Sequence, residues 1–235
     1  MALYAISDLH LAQSINKPMD VFGSNWEDYM TKIKCNWQEI VKDDDYIIMP
    51  GDLSWATYLE QSYKDFEYLN ELPGIKIISK GNHDYWWTTV NKLTKFIQQN
   101  QFEKIIFLHN NYVMYKQTAI CGTRGWDCPV SGIVSAEDEK IYNRELQRLE
   151  LSIKSCLMNN PHEIIAALHY PPVNRYKDMN SGFIEILKKY QVKKCIYGHL
   201  HADSQKNALV GRYEDIDFYL VASDYVDFSP VKLLD

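Results

Sequence analysis

Short apolar runs alternate with longer amphipathic stretches along the first part of the chain. Residues 2–7 are largely apolar and end at Asp8, the pattern of a buried strand that delivers a polar side chain at its C-terminal end. Trp26, Tyr29, Met30, Ile33, Trp37, Ile40 and Val41 then recur at helical spacing, behind Ser24 and Glu27 at capping-box spacing. Residues 46–49 make a second strand, closed by Pro50-Gly51. Leu59, Tyr63, Phe66 and Leu69 form another helical face, which Pro73-Gly74 breaks. Residues 75–79 are a third strand, and Val90, Leu93 and Ile97 mark a third helix within residues 88–98. Strand and helix in alternation predict parallel strands with helices packed outside.

The rhythm then changes. Residues 104–108, 112–116 and 118–122 read as short strands joined by Asn110-Asn111 and by Gln117, which suits hairpins better than helical crossovers. Residues 123–135 form a loop with Gly, Pro and Ser. Long irregular loops are functional or disordered, and Arg124, Trp126 and Asp127 favour an ordered rim over the metal-ligand motifs described below. Ser135 and Asp138 open a long helix carrying Ile141, Leu146, Leu149, Ile153 and Leu157, ended by Asn159-Asn160-Pro161. Residues 163–168 and 194–197 are strands again, with a short helix over 182–190 between them, and residues 208–223 alternate enough for two antiparallel strands. The expected architecture is α/β, with two packed sheets flanked by helices. No linker divides residues 1–235, so a single domain is expected.

Composition narrows the function classes. A chain of 235 residues can bury roughly 70% of its unfolded surface as one domain, so an enzyme-sized core is available. The net charge of −6 disfavours sequence-independent capture of nucleic acid, which needs Lys and Arg to neutralise many phosphates, but it leaves room for a small phosphorylated substrate drawn to bound metal. Five cysteines without a Cys-x-x-Cys pair suggest free thiols in a reducing compartment. The N-terminal run is interrupted by Asp8 and His10 and lacks a basic lead, and no run approaches the ~18 apolar residues of a membrane span. A cytoplasmic protein without a membrane partner is therefore expected.

Polar residues at the strand ends carry the candidate chemistry. Asp8 and His10 flank Leu9, so in extended chain both side chains point to one side. Asp52 follows Gly51, and its two carboxylate oxygens can bridge two cations. In Gly81-Asn82-His83-Asp84, Asn82 offers an amide oxygen, His83 a titratable group, and Gly81 lets the backbone turn sharply. His169 follows a strand, and His199 and His201 flank Leu200 as Asp8 and His10 flank Leu9. Alone, Asp8-Leu9-His10, Gly51-Asp52 and the single His169 are weak patterns, and Gly81-Asn82-His83-Asp84 is more specific. Five of the seven histidines nevertheless fall within these motifs, which chance placement does not explain. His109 and His162 fall outside them and read as structural or surface residues.

In chain order, Asp-x-His, Gly-Asp, Gly-Asn-His-Asp, His and Gly-His-x-His resemble the signature of the calcineurin-like metallophosphoesterase family, over residues 8–201. The resemblance implies a four-layer α/β/β/α sandwich and two divalent metal ions. One would be held by Asp8, His10, Asp52 and His201, the other by Asp52, Asn82, His169 and His199. Such a donor mixture suits Mn, Fe or Zn better than Ca. Two divalent cations outweigh the charges of Asp8 and Asp52, leaving positive charge for a bridging hydroxide and for phosphate. Metals about 3.5 to 4 Å apart lower the pKa of bound water and clamp an in-line displacement, which implies hydrolysis of small phosphomonoesters or phosphodiesters.

The family pattern leaves His83 off the metals, as proton donor to the leaving oxygen or stabiliser of transition-state charge. Asp84 would orient His83 or simply hold the turn. Arg124 could fork onto a substrate phosphate, or form a surface ion pair. Tyr85-Trp86-Trp87 either line a pocket or pack. A nuclease of the same family is the nearest alternative, and negative charge with no extra nucleic-acid-holding domain weighs against it. A non-catalytic interaction module would show replaced ligands, whereas every ligand position is filled.

Overall fold

The computed structural model describes residues 1–130 and 135–235. Its first half runs β1 (Leu3–Ala5), α1 (Tyr29–Ile40), β2 (Tyr46–Pro50), α2 (Tyr63–Glu71), β3 (Ile75–Ser79), α3 (Val90–Gln99) and β4 (Ile105–Phe107). Strands β1 to β4 are parallel neighbours in that order, as alternation with helices requires. The second half runs β5 (Tyr112–Tyr115), β6 (Thr118–Thr123), α4 (Ala136–Cys156), β7 (Glu163–Leu168), α5 (Gly182–Lys189), β8 (Lys194–Tyr197), β9 (Gly211–Tyr213), β10 (Ile216–Leu220) and β11 (Val231–Leu234). These give a five-stranded sheet, β11-β1-β2-β3-β4, and a six-stranded sheet, β5-β6-β7-β8-β10-β9. Both are mixed, because β11 joins β1 antiparallel while β5 and β9 join their neighbours antiparallel.

Three apolar layers follow from side chains alternating across each strand. Ile47 and Met49 of β2 pack with Ile33 and Trp37 of α1 and with Phe66 and Leu69 of α2. Ile48, between them, points the other way and joins Ile77 of β3, Ile120 of β6, Ile165 of β7 and Ile196 of β8 between the sheets. On the outer face of the second sheet, Ala166 and Cys195 meet Leu149 and Ile153 of α4 and Phe183 and Leu187 of α5. The result is an α/β fold of two mixed sheets flanked by helices, with both sheets covered on both faces. Among the described residues, no helix is long and apolar enough to cross a membrane.

Local chemistry sets most boundaries. The side chains of Thr89, Ser135 and Ser181 accept the first free N–H groups of α3, α4 and α5. The capping box expected at Ser24 and Glu27 does not start α1. Ser24–Trp26 closes a separate 3₁₀ turn, Glu27 is extended, and Asp28 at φ 56° redirects the chain into a helix that begins at Tyr29. A second correction concerns Asn110-Asn111. They join no hairpin, because β4 belongs to one sheet and β5 to the other. Asn110 turns at φ 57°, and the Asn111 side chain accepts from His109 N (2.6 Å) and donates to Phe107 O (3.1 Å), so a hairpin-like turn serves as the crossing between sheets. Residues 131–134, part of the loop expected over 123–135, lie outside the described residues.

Candidate metal centre

Every candidate ligand sits just past the C-terminal end of a strand, along the edge where the two sheets meet. Asp8 and His10 follow β1, Asp52 follows β2 and Asn82 follows β3, while His169 follows β7 and His199 and His201 follow β8. The turns that aim them are strained. Asp8 (φ 57°), His10 (φ 48°), Asp52 (φ 53°) and His199 (φ 72°) all lie in the left-handed region, which costs a non-glycine residue on the order of 1 kcal/mol. Gly81 is needed for space rather than for its turn: a Cβ there would overlap Asp52 Oδ1. Gly198 plays the same part across the sheets, where a Cβ would overlap Asp8 Oδ2. The motif glycines therefore let ligand carboxylates lie directly against backbone.

Two sets of donor atoms converge. In the first, His201 Nε2 lies 3.4 Å from Asp8 Oδ1 and 3.4 Å from His10 Nε2, and His10 Nε2 lies 3.9 Å from Asp52 Oδ2. In the second, His169 Nε2 lies 2.6 Å from Asn82 Oδ1, 3.5 Å from Asp52 Oδ2 and 3.3 Å from His199 Nδ1. His199 Nδ1 is itself 2.9 Å from Asn82 Oδ1. Asp52 Oδ2 is common to both sets. Asp8, His10, Asp52 and His169 are buried, and Asn82, His199 and His201 are partly open to solvent.

Protonation tells what the cluster wants. Burial lowers the pKa of His10 and His169, and burial with His169 alongside lowers His199 to about 3, so these rings are neutral and keep lone pairs. His169 Nδ1 faces Pro50 O at 3.0 Å, and an N–H donated there turns the Nε2 lone pair toward the cluster. His201 is the exception. Burial works to lower it, but hydrogen bonds to Asp224 and Asp8 carry it up to about 10. A proton on its Nε2 faces Asp8 and His10, marking where positive charge is favoured. Burial opposes ionisation of Asp8, yet the surrounding histidines, His201 first, hold it below the usual carboxylate range. Burial and the carboxylates of Asp84 and Asp8 push Asp52 well above it, a penalty that cations beside these carboxylates remove. Two carboxylates, one amide oxygen and four imidazoles are all acceptors once His201 releases its proton, so the residues fit divalent metal ions.

The sequence profile of the calcineurin-like phosphoesterases matches residues 1–203. The chain belongs to this family. It is a hydrolase of phosphoester bonds, in a family that uses divalent metals. A 3',5'-cyclic-nucleotide phosphodiesterase of Nostoc sp. is 24% identical over 220 residues, which cover 88% of this chain and 73% of the relative. Among solved structures, phosphopantetheinyl hydrolase from Mycobacterium tuberculosis superposes with a TM-score of 0.58 at 13% identity, over 99% of this chain and 95% of that one. A protein of Thermus thermophilus does so with 0.52 at 12% identity, over 85% and 81%. These structural likenesses carry the fold alone.

Around the candidate ligands of this phosphoesterase, the remaining motif residues take distinct places. His83 is half-buried, its backbone N–H donating to Asp52 Oδ1 (2.8 Å) and its ring 4.5 Å from that of Trp55. Asp84 does not reach that ring. It is fully buried and accepts N–H groups from Gly81 (2.7 Å), Asp52 (2.9 Å), Leu53 (2.9 Å), Ser54 (3.3 Å) and the Trp86 indole (3.0 Å), tying the β2 and β3 loops together. Trp86 is buried and Trp87 packs on Phe107, whereas Tyr85 is exposed. Arg124 is brought not to the ligands but to Glu145, 3.8 Å away, with its guanidinium 4.5 Å over the Trp126 ring.

Three neighbours were not found by sequence reasoning. Asp224 Oδ1 holds His201 Nδ1 at 2.7 Å; Trp55 stacks on His10 at 4.8 Å; Tyr170 covers His199 at 4.1 Å. Asp224 lies after β10 as Asp8 lies after β1, and a strand-end carboxylate was the one signal available for it.

Proposed function

We propose that residues 1–235 act as one catalytic domain that hydrolyses small phosphoesters, diesters above all, at a two-metal centre. Asp8, His10, Asp52 and His201 would hold one ion and Asp52, Asn82, His169 and His199 the other. The observation that carries this reading is the convergence of the two acceptor sets on the shared Asp52 Oδ2, 3.9 Å from His10 Nε2 and 3.5 Å from His169 Nε2. Divalent ions bound there lower the pKa of water and clamp the oxygens of an in-line displacement.

The chain's own residues supply the rest. Asp84 and Pro50 fix the ligand loops before any substrate arrives, as preorganisation requires. The His83 ring has no hydrogen-bond partner among the described residues, and burial lowers its pKa; a substrate phosphate beside it would favour the protonated ring, which would then give its proton to the leaving oxygen. Beside His199 opens a cavity of about 570 Å³ lined by Pro171, Val173, Leu200, Asn174 and Arg175. That volume is within the range of small-molecule sites, and its largely apolar wall suits the organic part of an ester. The cyclic-nucleotide phosphodiesterase relative supports the diester preference.

The experiment is a substrate panel with the Mn²⁺-loaded protein: aryl and alkyl phosphomonoesters, 3',5'-cyclic nucleotides, linear diesters and single-stranded DNA. Hydrolysis of small diesters, abolished by chelation and restored by metal, is the expected result. Full metal content with no turnover of any small ester would overturn it.

A further inference from the structure

A second polar cluster borders the metal ligands, and the reaction above does not use it. Lys80 lies two residues before Asn82, so their Cα atoms are within about 7 Å. Arg124 offers its backbone oxygen to the N–H groups of His169 (3.0 Å) and Tyr170 (2.9 Å). Together with Arg144 and Arg148 of α4 they line a cavity of about 200 Å³ that also takes in His109 and Thr123. Glu145 lines it too and is fully buried. Its carboxylate accepts from the Thr123 hydroxyl (2.5 Å) and from Arg148 (2.7 Å), and lies 3.8 Å from both Arg124 and Arg144.

One carboxylate thus faces four cations, in a chain whose net charge is −6. A buried carboxylate requires one well-placed cation and hydrogen bonds, which Arg148 and Thr123 already provide. Arg124, Arg144 and Lys80 are in excess of that need. Arg124 Nε is buried without a hydrogen-bond partner among the described residues. Like charges held together in a partly desolvated cavity are relieved by an anion, and guanidinium forks match the paired oxygens of a phosphate.

We propose that this cavity binds a phosphate group, and that in catalysis this is a second phosphate of the substrate, held while the first is hydrolysed. The substrate class is then a phosphoester carrying another phosphate a few bonds away. Binding of the oxyanion stands on the cavity alone; its origin in the substrate rests on the phosphoesterase reading.

Two measurements on the full chain test this. Chelator-treated protein is titrated calorimetrically with inorganic phosphate at constant ionic strength. One phosphate per chain should bind, about tenfold more weakly in Arg144→Gln, the loss of one charge-assisted contact. Glu145→Gln, which keeps a partner for Thr123 and removes the opposing charge, should bind it more tightly. Arg148→Gln is the second weakening variant, with thermal melts reporting folding. No saturable binding, or parent-like affinity in both arginine variants, overturns the proposal.

The second measurement compares kcat/KM of the metal-loaded enzyme on two small diesters, methyl propyl phosphate and the bisphosphate that carries a second, terminal phosphate on the same propyl group. A preference for the bisphosphate that falls about tenfold in Arg144→Gln assigns the oxyanion to the substrate. An unchanged ratio, with inorganic phosphate still bound and altering the rate on methyl propyl phosphate, overturns that assignment in favour of free phosphate. Phosphate binding without turnover of either ester counts against the phosphoesterase reading and leaves the cavity's ligand standing.

Discussion

Within two residues at the end of β3, the chain passes from a basic cavity to a cluster of acceptors. Lys80 faces Arg124, Arg144 and Arg148, whereas Asn82 faces His169 and His199. The acceptor cluster is built deep: His10, His169 and His199 are kept neutral by burial, and its carboxylates crowd until one of them, Asp52, resists ionisation. The basic cavity opposes a single buried carboxylate with three arginines, whose charge cannot be titrated away near neutral pH as a histidine's can. The difference teaches which partner each place can take. Neutral lone pairs with two carboxylates select a cation, and forked guanidiniums select an oxyanion. A phosphoester bearing a second phosphate would bring reacting and non-reacting groups to the two in turn.

The most severe way to break the comparison is to spoil the acceptor set. Asp52→Asn keeps the shape and removes the shared charge, so it should lose at least one metal per chain by elemental analysis, and with it nearly all turnover. Parent-like metal content would refute the bridging assignment. His83→Ala should instead keep both metals and lose roughly 10²- to 10⁴-fold in kcat on an ester with a poor leaving group. Turnover equal to the parent's would remove His83 from proton transfer.

A smaller effect is expected one bond outward. Asp224 holds His201 Nδ1 and does not touch the other ligands in the described contacts. Asp224→Ala should weaken metal affinity by about 10- to 100-fold, the usual effect of removing a carboxylate behind a ligating histidine. Metal titration against a competing chelator measures it, and unchanged affinity would show that His201 is positioned by other means.

How much of this was legible depends on the range of the signal. The candidate ligands were readable because each stands at the end of its own short apolar run, and β1, β2, β3, β7 and β8 deliver them to one edge. Asp224 was not, since one aspartate 23 residues from its histidine forms no motif. Asn110-Asn111 misled because the same turn chemistry serves a hairpin and a step between sheets. Strand β11 was missed for a similar reason: four residues at the chain's end acquire their strand from β1, whose sequence is remote. The basic cavity was invisible along the sequence. Arg144 and Arg148 sit one helical turn apart on α4, where they resemble an ordinary solvated face, and only the fold sets Lys80 and Arg124 opposite them.

A buried cation on the same strand, β3, sharpens the comparison further. Lys76, near the start of β3, is fully buried, hydrogen-bonded to Leu72 O and 5.9 Å over the Trp37 ring. Burial, with Lys104 nearby, brings its pKa from 10.5 down to about 7. At this residue the unfolded chain therefore binds more protons than the folded one between about pH 7 and 10.5, and the contribution of Lys76 to stability should rise with pH across that window, by at most about 1.4 kcal/mol per pH unit. Above about pH 8.5, the buried thiols Cys121 and Cys195, both pushed up by burial, ionise first in the unfolded chain and begin to subtract. The usable range is about pH 7 to 8.5. In the metal-free protein His201, raised to about 10, contributes a slope of opposite sign over this range, so the reading is the difference between proteins: the parent's urea midpoint should rise with pH relative to that of Lys76→Met, which fills the same space without a charge. Parallel curves for the two proteins would show that Lys76 reaches water in the folded state, and would leave the basic cavity's cations as the ones whose burial has consequences.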